Sequence, residues 1–227
     1  LTTTAPPTSL ERLATLDPAF AQLVGATAKY VRAIPELTDR EKTFLCVTAD
    51  VCQASLGLAF AAHVRAGLAA GVSTSDIREL LRFVSYDCGY HAATAGIERI
   101  AELERELGID PERTVPDPVP DGPSPLPEEV RARLNELDEH FAGYFDLQSR
   151  MRAGHGPGTL SERERGLVSL SVDVHYQTLA ETFRIHVGRA LRGGASPEDV
   201  RAALRFNAQF GVTRAWHAWE ALNEILN

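Results

Sequence analysis

Apolar positions in this chain recur at intervals of three and four residues, and no segment alternates apolar and polar residues over any length. That pattern predicts helices throughout and no sheet. Asp17-Pro18 reads as an N-cap with proline in the first helical position, opening a helix that runs to about Arg32. Thr38–Glu41 and Ser161–Glu164 are capping boxes, each followed by an apolar helix of about 15 residues. A second helix follows each of these, carrying His63 or His186 and stopping at Gly71 or Gly194. Ser73 and Ser196 cap the next helix, whose apolar face in the first case is Ile77, Leu80, Leu81 and Val84. A last helix closes each series, near 90–107 and 213–226.

The pattern occurs twice because the sequence does. Leu37–Phe83 aligns without a gap onto Leu160–Phe206, with 17 of 47 positions identical. Upstream, Leu16-Asp17 and Phe20 match Leu137-Asp138 and Phe141 in a slightly different register. Two long copies predict a pair of helical units related by a pseudo-two-fold axis, with a pocket near their seam; a solenoid would need more, shorter repeats. The expected division is a disordered Thr- and Pro-rich tail over 1–8, a first unit over 9–109, a linker over 110–127, and a second unit over 128–227. The linker holds seven of the 13 prolines, and such a stiff, extended segment would let each half pack independently.

Composition narrows the partners. The net charge is −8 and the charges are interspersed, which argues against nucleic acid, since phosphate binding wants a basic stripe. No apolar run approaches the roughly 18 residues of a membrane span. Cys46, Cys52 and Cys88 are odd in number and fit no zinc spacing, so free thiols, no metal and a reducing cytoplasm are expected. The histidines show no i, i+4 pair that would suggest a metal helix either.

The order of motifs resembles the carboxymuconolactone decarboxylase family, which includes the AhpD-like alkylhydroperoxidases. It runs Leu37–Glu41, His63-Val-Arg-Ala66, Gly71, Ser73–Phe83 and Tyr86-Asp-Cys-Gly89 in the first copy. In the second it runs Leu160–Glu164, His186-Val-Gly-Arg189, Gly194, Ser196–Phe206 and Phe210-Gly211. The resemblance implies an all-α fold of two tandem AhpD-like units and a homo-oligomer, a trimer favoured and a dimer possible. It also implies cofactor-free decarboxylation or isomerisation of a small or medium organic acid or lactone. The peroxidase branch carries Cys-x-x-Cys seven and four residues before the histidine, where this chain has Leu56 and Ala59, and Leu179 and Thr182. Without a resolving pair, a disulfide cycle has no partner thiol.

His63 and His186 are the first candidates for catalysis, as imidazoles able to move a proton near neutral pH; each can equally tie one helix to another. Asp50 and Asp173 sit mid-helix among apolar residues, where a carboxylate must be paired. Pairing with a histidine would orient a base; a buried salt bridge to Arg82 or Arg205 is the structural alternative. Glu41 and Glu164 fit the family pattern, but their capping boxes already explain them.

Where the copies differ, Cys52 aligns with His175 and Gln53 with Tyr176, so His175, Tyr176 and His186 form the richer proton-transfer set. Tyr86, Tyr176, Trp216 and His217 are candidate walls for a small-molecule substrate, and Arg82 or Arg205 a candidate carboxylate anchor. Cys52 stands eleven residues before His63, roughly 16 Å along an unbroken helix and too far for a direct pair unless the helix breaks near Ser55-Leu56-Gly57. A non-catalytic ligand-binding or assembly protein on this fold is the alternative function, and a thiol-dependent oxidoreductase using Cys52 or Cys88 a third.

Overall fold

The computed structural model describes residues 8–111, 122–154 and 160–226. Residues 1–7 of the expected tail and 112–121 of the expected linker lie outside the described residues. The described residues form twelve α-helices and a single 3-10 turn at Ala208–Phe210, with no strand. The first copy contributes α1 (Ser9–Leu16), α2 (Pro18–Arg32), α3 (Asp39–Cys52), α4 (Leu58–Ala69), α5 (Thr74–Cys88) and α6 (Tyr90–Leu107). The second repeats the series as α7 (Glu128–Leu137), α8 (Glu139–Gly154), α9 (Glu162–Tyr176), α10 (Glu181–Arg192), α11 (Pro197–Asn207) and α12 (Val212–Leu226).

The expected start signals operate. Thr38, Ser161, Ser73 and Ser196 each close a reciprocal capping box with the residue three positions on, satisfying orphan amides at the helix start. Asp17 caps α2 with Pro18 behind it. The short α1, which the apolar pattern did not reveal, begins with its own capping box at Thr8. Gly71 and Gly194 hold φ of +87° and +98°, the left-handed conformation that stops α4 and α10.

The two copies interlock rather than pack independently. α3 and α9 lie against each other at the centre. One core gathers Phe183, Val187, Val200 and Leu204 of the second copy around Val31, Ile34, Leu37 and Leu45 of the first. The other gathers Phe44, Phe60, Ile77 and Ile100 of the first around Leu160, Val168 and Val172 of the second.

Two reciprocal ion pairs tie the seam: Arg40 Nε donates to Glu164 at 2.8 Å, and Arg163 Nε to Glu41 at 2.6 Å. Those glutamates also serve their own capping boxes, so both are accounted for structurally. The helix hairpins close on small residues in reciprocal fashion. Gly67 of α4 faces Thr43 of α3, whereas in the second copy Gly166 of α9 faces the backbone of Ala190 on α10.

Candidate active site

Each copy turns its chain between two helices so that a buried carboxylate meets the histidine. α3 ends at Cys52, and the break before Leu58 folds α4 back along it. Asp50 Oδ2 then lies 2.6 Å from His63 Nδ1. In the second copy Asp173 Oδ2 lies 2.6 Å from His186 Nδ1, and Thr178 donates a further bond to Asp173. Both aspartates are 3% exposed, so the histidine is the partner that their burial demands. The arginines offered as alternatives are engaged elsewhere: Arg82 pairs with Glu79, and Arg205 with Glu36 and Glu198.

The surroundings of the two pairs differ. Across the seam from His63 stands Phe210, edge-on at 6.3 Å between ring centroids. His63 opens into a cavity of about 420 Å³ between α2, α3, α4 and the end of α11, lined also by Val31, Arg32, Lys42, Cys46 and Phe206. Lys42, with Asp39 on the same wall, donates to the Arg32 carbonyl at 2.8 Å.

Near the second pair lies a cluster of charges. Arg152 of α8, on the seam, donates to Asp87 at 2.8 Å and to Ser169 at 2.7 Å, with its guanidinium 4.1 Å from the Phe83 ring centroid and 4.5 Å from that of Tyr86. Asp87 in turn feels the charges of His186 and Asp173. The His186 side chain is 13% exposed against 27% for His63. His63 is therefore the more accessible of the two histidines.

Burial works against the charged imidazole of His63, but Cys46 and Asp50 beside it prevail and push its pKa up to about 10. Burial also raises the Asp50 carboxyl, against the lowering effect of His63. Both shifts point the same way: this pair holds on to its proton.

Several sequence candidates lie outside this cavity. His175 is 7% exposed, faces Phe210 at 5.8 Å, and neither ring nitrogen has a hydrogen-bond partner. Asn207 weakly favours the charged ring, but it is committed to Ser171 and the Ala203 carbonyl. Burial, helped by Arg214, lowers the His175 pKa to about 4 and keeps it neutral. Tyr176 is 41% exposed and turns to Cys52, so His175, Tyr176 and His186 do not assemble into one proton-transfer set. Trp216 and His217 are exposed, bonded to Glu220 and Gln177. Tyr86 and Arg82 do meet, in a separate cavity of about 250 Å³ between α5, α6 and α8 that neither His63 nor His186 lines.

Burial raises Cys52 to about 12 and Cys88 to about 11, so both remain thiols at neutral pH. The residue that sequence reasoning missed is Cys46. Its signal was present: Lys42, Cys46 and Asp50 follow at i, i+4, i+8 on one face of α3. Among the described residues no cluster of ligating side chains fit for a metal occurs, and no helix is long and apolar enough to cross a membrane.

Comparison with known proteins agrees with this architecture. No curated protein matches the chain. A solved structure from Burkholderia xenovorans, described provisionally as a gamma-carboxymuconolactone decarboxylase subunit, superposes with a TM-score of 0.55 at 22% identity. That match covers 98% of this chain and 92% of the other, and at such identity it speaks to the fold alone. The carboxymuconolactone decarboxylase family model matches twice, over residues 18–102 and 138–224, one match on each copy of the repeat. The chain belongs to the carboxymuconolactone decarboxylase family, as a tandem fusion of two of its units.

Proposed function

We propose that this chain is a cofactor-independent enzyme acting on a small or medium organic acid or lactone, and that its first copy carries out the proton transfer. The observation that carries this reading is the Asp50–His63 pair, closed at 2.6 Å and opening into the cavity, while its counterpart His186 is the less exposed of the two histidines. Asp50 occupies Nδ1 and fixes the ring, leaving Nε2 as the nitrogen that works. With its pKa pushed up to about 10, His63 is an imidazolium at neutral pH and acts first as a general acid.

Lys42 and Arg32 at the cavity wall supply positive charge for a substrate carboxylate. In decarboxylation the bond to the departing carboxylate breaks, its electron pair flows toward the adjacent carbonyl, and carbon dioxide leaves. The imidazolium then delivers its proton to the carbon left behind. Isomerisation uses the same nitrogen in both directions. The reading takes the protein as a homo-oligomer, with a trimer favoured.

The test is turnover of lactone acids, followed by loss of absorbance and by release of carbon dioxide. His63→Ala should lower kcat at least about 100-fold, the ordinary share of a positioned acid. His186→Ala should stay within a few-fold of the parent. Undiminished turnover in His63→Ala sinks the proposal.

A further inference from the structure

We infer that Cys46 is a covalent nucleophile, and that this cavity can also transfer or hydrolyse the acyl group of a lactone or activated ester. The inference rests on the first-copy cavity being the active site, as proposed above. It starts from a juxtaposition of three side chains. Cys46 stands one helical turn before Asp50 on the same face of α3, and Asp50 bonds His63 Nδ1 at 2.6 Å. Cys46 and His63 both line the cavity, and Cys46 is one of the groups that raise the imidazole pKa. Nucleophile, imidazole and carboxylate thus occur in the order of a thiol–imidazole pair: the carboxylate orients the ring, and the protonated ring stands beside the sulfur as its counter-ion.

The other cysteines lack this setting. Cys52 is held by Tyr176 and Cys88 sits at the end of α5, both with pKa values raised by burial. The second copy repeats the stripe with Arg165, Ser169 and Asp173, again placing a potential nucleophile one turn before the aspartate. There the Ser169 hydroxyl accepts a bond from Arg152 at 2.7 Å.

In the step itself the Cys46 thiolate forms a bond to the carbonyl carbon. The carbon–oxygen bond of the ester or lactone breaks, and the leaving alkoxide takes the proton held by His63. Water then attacks the thioester, with His63 accepting one water proton, and the sulfur leaves as the thiolate, which releases the acid and restores the starting pair. Lys42, a further turn back on α3, lines the same cavity and supplies positive charge toward the oxygen that gains charge. No oxidant or reductant takes part.

The probe is p-nitrophenyl acetate on the native protein, with p-nitrophenolate release followed by stopped flow and the acetyl group located by peptide mass spectrometry. The expected result is a burst with the acetyl group on Cys46, absent from Cys52 and Cys88. Acetylation should be about 100-fold slower in His63→Ala and in His63→Gln, the two variants guarding against a folding artefact, and similarly slow for Cys46 in the urea-unfolded chain. Absence of an adduct at Cys46, or equal rates with and without His63, overturns the inference. If lactone-acid turnover persists in that same protein, the proton-transfer reading stands alone. An adduct on Cys46 that forms at the expected rate, beside undiminished lactone-acid turnover in His63→Ala, upholds this inference and sinks that reading.

Discussion

His175 carries an energetic consequence that its chemistry does not use. It is buried, without a partner for either ring nitrogen, and its pKa is lowered from 6.5 to about 4. The unfolded chain therefore takes up a proton near pH 6.5 that the folded chain refuses until about pH 4. Stability from this residue is intact above pH 6.5 and is lost as pH falls toward 4, by up to about 3 kcal/mol. Urea unfolding of the parent and of His175→Phe across pH 4–7 measures it: the parent should lose stability relative to the variant as pH drops, and a constant difference would refute the account. The sequence showed His175 as one of three polar residues at the end of α9, but not which way it faced. A mid-helix aspartate among apolar residues announces its need for a partner, so the Asp50–His63 and Asp173–His186 pairs were legible as possibilities. The turn at Gln53–Gly57, which swings α4 back onto α3, decided between histidine and arginine.

At the level of elements, the helix hairpins are held by close approach as much as by apolar area. A Cβ at Gly166 would fall deep within contact distance of the Ala190 backbone, which cannot move without shifting α10 away from α9. At Gly67 the obstacle is the Thr43 methyl, a side chain that can rotate. Gly166→Ala should therefore cost about 1–3 kcal/mol despite alanine's better helix propensity, and Gly67→Ala clearly less. Thermal denaturation monitored by circular dichroism ranks the two; equal midpoints would mean the helices yield freely. Helix starts and stops were readable because caps and left-handed glycines act through neighbouring backbone atoms. The Lys42, Cys46, Asp50 stripe was readable too, but Cys46 meant little until α4 placed His63 beside it. Arg152 was hidden for a different reason: it reaches the second site from α8, in the stretch where the repeat changes register.

For the whole molecule, duplication supplies the frame and divergence supplies the function. The cores exchange residues across the seam, and paired arginines clamp it, so the two copies fold as one body with two unequally exposed Asp–His pairs. The same symmetry leaves a surface unfinished. α2 exposes Phe20 and Leu23, and α8 exposes the matching Phe141 and Tyr144 at the same spacing, with Leu16 and Leu137 just before each helix. Apolar side chains repeated at i and i+3 on an outer helix face mark a surface that association would cover. Because both copies carry it, one chain offers two equivalent faces, and a ring of chains can close through them. Light scattering should then give a native mass three times the 24.7 kDa chain, the trimer of the proposed assembly. Phe20→Asp combined with Phe141→Asp should reduce it to the mass of one chain while the helical spectrum is kept, because both rings are about half exposed within the chain. A parent protein that runs as a single chain at micromolar concentration would show that the stripes face water and that the seam within each chain is all the assembly there is.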